Sequence, residues 1–163
     1  MLCKFGESNP DFYNNFRQNV PGFVPLNAPD LRIETAVADL RTCPPTVTIL
    51  ARVVNKGRAG VAHAGVRVKY YRLAAEGETP QATIAGTGLF ADIELPVDLL
   101  PGGAVDMPPA VYTISSSEAP IDLDFRVIAN PDFLVNPSGS AFECNATNNV
   151  KDVLNIDCTS TGG

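Results

Sequence analysis

Between residues 31 and 157, apolar and polar side chains alternate in short runs that break at turn residues. "LRIETAV" places Leu31, Ile33, Thr35 and Val37 on one face and Arg32 and Glu34 on the other. "TVTILARVVNKG" repeats the pattern with Val47, Ile49, Ala51 and Val53, and "GVRVKYYRL" sets Val66, Val68 and Tyr70 against Arg67 and Lys69. In "IDLDFRVIAN", Ile121, Leu123, Phe125 and Val127 face inward while Asp122, Asp124 and Arg126 face outward. A period of two is the mark of a strand with one buried face. "ATIAGTGLF", "ADIELPV", "AVYTISS" and "NVKDVLNID" are further strand candidates. "CPPT", "NKGRAG", "PGG", "SSSEAP" and "NPSGS" punctuate the runs, as Gly, Pro, Asn and Ser do in turns. No long stretch repeats at 3.6 residues. About seven short alternating strands predict an antiparallel β-sandwich.

Residues 1–29 break this pattern. "SNPDFYNNFRQNVPGFVPLNAP" mixes aromatics, Asn and Pro without a period, so the chain divides into an extended arm or linker (1–29), a sandwich (30–158) and a short flexible tail (159–163). The chain's 163 residues suffice for one domain with a sizeable core. A 45% hydrophobic content fits a globular chain. The formal charge of -6, with no Lys/Arg cluster, argues against nucleic acid, whose phosphates need a basic field. No apolar run approaches the roughly 20 residues that span a bilayer. "MLCKFGESNPDF" lacks the apolar centre of a signal peptide, so secretion implies that Met1 is not the natural beginning.

The cysteines are Cys3, Cys43, Cys144 and Cys158, none at C-x-x-C spacing, and the single histidine is His63 in "VAHAGV". Zinc sites use clustered Cys and His, and none is present. An even set of separated cysteines reads as two disulfides in an oxidising compartment; four reduced thiols in a cytosolic protein are the alternative. Three pairings are possible. If strands run alternately up and down, the first turn and the end of the last strand share one end of the sandwich. That favours Cys43–Cys158, and leaves Cys3–Cys144 at the other end.

The succession "APDLRIE", "TCPPTVTILARVVNKGRAGV", "VRVKYY", "LLPGGAV" and "ECNATNN" resembles the bacterial cell-adhesion-related domain, CARDB, over roughly residues 28–158. "NNFRQN" resembles the linkers that precede such modules. In that family Pro-Asp-Leu opens the first strand, V-x-N-x-G closes the second and a Pro-Gly turn precedes a later one. A Glu-x-Asn-x-x-Asn-Asn turn, matched here by Glu143, Asn145, Asn148 and Asn149, introduces the last strand. Residues 74–120 are longer and richer in proline than the resemblance implies. It implies an immunoglobulin-like extracellular module of a surface protein, with no catalytic role.

"ECNATNN" then reads as a structural corner, and Asn55 as its counterpart after the second strand, because Asn side chains imitate backbone turns. Asn145-Ala146-Thr147 also fits the glycosylation sequon, an accidental match in a bacterial chain. Calcium stays open as an alternative, with Asp132 and Glu143 as hard ligands; otherwise no cofactor is expected. Catalysis has little to build on. His63 has no G-x-S-x-G nucleophile, "AGTG" is not a phosphate loop, and Asp122 and Asp124 lack a cleft. The expected partners are proteins. Three roles remain: an adhesion or spacer module, a carbohydrate-binding domain using Tyr70, Tyr71 and Tyr112, and a filament subunit that contacts copies of itself. In the last, Phe12, Tyr13, Phe16, Phe23 and Val24 of the arm pack on a neighbouring edge strand.

Overall fold

The computed structural model describes residues 29–73, 88–130 and 149–159. They form β1 (Leu31–Asp39), β2 (Thr46–Asn55), β3 (Arg67–Leu73), β4 (Leu89–Glu94), β5 (Ala104–Asp106), β6 (Ala110–Thr113), β7 (Leu123–Ala129) and β8 (Val150–Ile156). In one sheet β2 pairs with β1 on one edge and with both β5 and β6 on the other; the second sheet runs β4-β3-β7-β8. Every strand pairing is antiparallel. The molecule is the all-β sandwich that the alternation predicts.

The core lies between the sheets. Leu31, Ile33, Val47, Ile49, Ala51, Val53, Val66, Val68, Tyr70, Leu123, Phe125 and Val127 are all buried in it, so most of the expected inward faces are the observed ones. β1 departs halfway along. Its register to β2 shifts between Ile33 and Thr35: a bulge at Glu34 spends one extra residue and reverses the alternation beyond it. Ala36 and Ala38 therefore pack on the core, while Thr35 and Val37, expected inside, are exposed. Ile121 is exposed too, because Asp122 turns the chain through a positive φ of 53° just before β7 begins. Arg126 faces away from the core as expected but is buried, as are Tyr71 and Ile128 on the same side.

β4 runs across the boundary between two expected strands. β5 and β6 are one strand interrupted at Met107-Pro108-Pro109. Met107 still donates its amide to the Ala51 carbonyl at 2.8 Å, and the prolines, which have no amide to donate, sit on an edge where this is tolerated. Two glycines are dictated by the backbone. Gly88 has φ +78°, and a Cβ there would stand 2.2 Å from the Arg72 carbonyl oxygen. Gly102, at φ +80°, follows Pro101 in a turn closed by Gly103 N–H to Leu100 C=O at 2.8 Å; a type II turn needs such a residue at its third position.

Candidate functional site

β1 and β2 begin and end at opposite poles, so the chain comes into the sandwich at one pole and leaves it at the other. At the arriving pole Asn55, fully buried at the end of β2, ties three segments together. Its Oδ1 accepts from Asp30 N–H at 3.1 Å and Gly57 N–H at 3.0 Å. Its Nδ2 donates to the Ala59 carbonyl at 2.8 Å and the Leu99 carbonyl at 3.2 Å. Its main chain bonds Gly102 and Gly103 at 2.7 and 2.9 Å. Asp30, buried beside it, is forked by Arg32 at 3.1 and 3.2 Å. Asn149 is buried at the start of β8. It accepts from Ala129 N–H through its own carbonyl and donates Nδ2 to the Ala129 carbonyl, both at 2.9 Å, so the side chain continues the β7–β8 ladder by one step. Glu143, Asn145 and Asn148 of the same corner lie outside the described residues.

The leaving pole is closed covalently. Cys43 in the β1–β2 turn and Cys158 just after β8 form a disulfide across a separation of 115 residues, with Cα atoms 5.3 Å apart. This is the pairing that the strand order favours. The Cys3–Cys144 pairing, the arm residues Phe12, Tyr13, Phe16, Phe23 and Val24, and the calcium candidates Asp132 and Glu143 all fall outside the described residues.

Beside this pole an aromatic cluster fills the space between the sheets. Phe90 stands edge-on to Tyr112 and Phe125 with ring centres 5.2 and 5.7 Å away. Tyr112 and Phe125 meet at 5.4 Å, and Tyr70 lies 6.3 Å from Phe90. Burial pushes the Tyr70 hydroxyl up to about 12. Over the cluster Arg72, 5.8 Å from the Phe125 ring centre, pairs with Glu118 at 2.6 Å, and Tyr112 Oη donates to Glu118 Oε2 at 2.5 Å. Burial pushes Glu118 upward, but the bonds from Tyr112 and Arg72 outweigh it and hold the carboxyl below its ordinary value. Tyr112 is raised, by burial first and by Glu118 second. Sequence reading missed this Arg-Glu-Tyr cap. Tyr70, Tyr71 and Tyr112, considered above as a sugar platform, do not form one: Tyr70 and Tyr71 are buried, on opposite faces of β3.

His63 and Asp98 make the other polar pairing of note. Asp98 accepts from the His63 amide at 2.8 Å and lies 2.6 Å from His63 Nδ1, and these bonds hold its carboxyl low. Both side chains are exposed. Among the described residues no three His, Cys, Asp or Glu side chains converge, and no helix is long and apolar enough to cross a membrane.

The comparison with solved structures decides the fold. The CARDB domain of the PF1109 protein from Pyrococcus furiosus, in a crystal structure in complex with di-metal ions, matches with a TM-score of 0.50 at 17% identity, over 85% of this chain and 97% of that one. The chain has a CARDB-like fold. A solution NMR structure of the same PF1109 domain gives 0.48 at 16% identity, over 81% and 96%. At these identities the likeness is one of architecture. No family model matches the sequence, and no curated protein does. Within this CARDB-like sandwich, Leu31 of "PDL" opens β1, Asn55 closes β2 and the Pro101-Gly102 turn precedes β5.

Proposed function

We propose that this CARDB-like chain is a non-catalytic structural or adhesion module that works outside the cell. The observation that carries the reading is the Cys43–Cys158 staple at one pole of a sandwich whose chain arrives at the other. Disulfides of this kind persist in oxidising surroundings, and a sandwich that the chain enters at one pole and leaves at the other suits a linear array. The polar clusters agree with it. Asn55 and the Arg72-Glu118-Tyr112 cap spend their bonds on holding the fold, and His63–Asp98 sits on an open surface.

Protein isolated from intact cells and alkylated before and after reduction tests the reading. Cys43 and Cys158 are expected to resist labelling until reductant is added, and the chain to be shaved by protease added to whole cells. Labelling without reductant, or protection from the protease, would overturn it.

A further inference from the structure

On the outward face of the first sheet an apolar strip interrupts polar positions such as Thr35, Thr48, Arg52 and Asp106. Val37 on β1 and Leu50 on β2 are direct cross-strand partners. Val111 on β6 pairs with Thr48, two residues along from Leu50. Their exposures are 53%, 36% and 53%. Pro109 extends the strip and helps to line a shallow groove of about 440 Å³. Other exposed large hydrophobics, such as Leu89, Leu100 and Leu154, are scattered over separate strands and loops, which is ordinary for a surface. A contiguous apolar strip is a contact surface in waiting.

The charges beside the strip identify what covers it. At one corner Arg41, paired with Asp39, has 87% of its side chain exposed. At the diagonally opposite corner, past Leu50, Asp106 pairs with Arg52 at 2.9 Å and has 79% of its side chain exposed. An ion pair with its cation the more exposed partner at one corner, and one with its anion the more exposed at the other, make the strip self-complementary.

We propose that this face joins two copies of the chain, packed sheet against sheet about a two-fold axis that passes Leu50. The axis sets Arg41 of each copy over Asp106 of the other and brings the two strips together. The sheets then cross at a wide angle, one of the two ways in which sheets pack, and the contact closes on itself as a two-fold contact must. The inference goes beyond the module reading and does not need its extracellular setting.

Sedimentation velocity of the full oxidised chain, from micromolar to millimolar concentration, tests it. A monomer–dimer equilibrium is expected. Leu50→Asp and Val111→Asp should each abolish the dimer without changing the circular dichroism spectrum. Arg41→Glu and Asp106→Arg should each weaken it about tenfold, since an exposed pair is worth roughly threefold and occurs twice across the axis. Combining the two exchanges should restore it. A monomer at millimolar concentration, a dimer indifferent to both aspartates, or a combined variant no tighter than either single one would overturn the proposal.

Discussion

Asn55 shows how much one side chain can hold. Four hydrogen bonds leave its amide, and they reach the start of β1, its own loop and the loop before β5. Asn55→Ala would strand those partners at a buried pole, where each unsatisfied group costs about 1–3 kcal/mol. We expect a loss of about 3 kcal/mol, read from the urea midpoint at unchanged slope. Glu118 makes a pH prediction. Its folded carboxyl lies below the ordinary 4.5, so its contribution is complete above the unfolded value and disappears as pH falls through the lower folded one. Thermal melts of the parent chain and Glu118→Gln should differ at neutral pH and begin to converge only as pH falls below about 4.5. The two residues were not equally legible in the sequence. An Asn followed by Lys-Gly announces a turn by itself, whereas Arg72 and Glu118 stand 46 residues apart and only the packed sandwich brings them together.

Strands were legible where one face is buried along their whole length. β2, the middle of its sheet, has the expected inward set without exception. β1 misleads because Thr35 and Val37 continue the alternation past Glu34, and nothing in that pattern marks the extra residue. The bulge can be checked at two positions. Val37→Thr should change stability by less than about 0.5 kcal/mol, as at other exposed sites, and Ile33→Ala should cost about 3 kcal/mol, both from chemical denaturation. Had the alternation run on unbroken, Val37→Thr would also be costly, because it would bury a hydroxyl in the core. β5 escaped notice for a different reason. Three residues followed by Met-Pro-Pro do not make a period, and the strand is recognisable only from the partner it finds on β2.

For the whole molecule, architecture was legible because it follows from patterning, turns and cysteine placement, all of which are written locally. The face proposed to join two copies was not, since Val37, Leu50 and Val111 come from three strands and belong together only after folding. The disulfide spans both kinds of information. Replacing Cys43 and Cys158 together with Ser frees a loop of 115 residues and should lower stability by about 4 kcal/mol, measured against the parent chain without reductant. The bond also decides how the domain answers to tension. A pull applied through the segments before β1 and after β8 passes along β1, crosses from Cys43 to Cys158 and leaves. Everything from β2 to β8 hangs off that line as a closed ring, so tension can peel β1 away but cannot lengthen the rest. Only reduction would release the ring, adding on the order of 400 Å of slack, and the reach of the module under strain would then be set by the redox state around it.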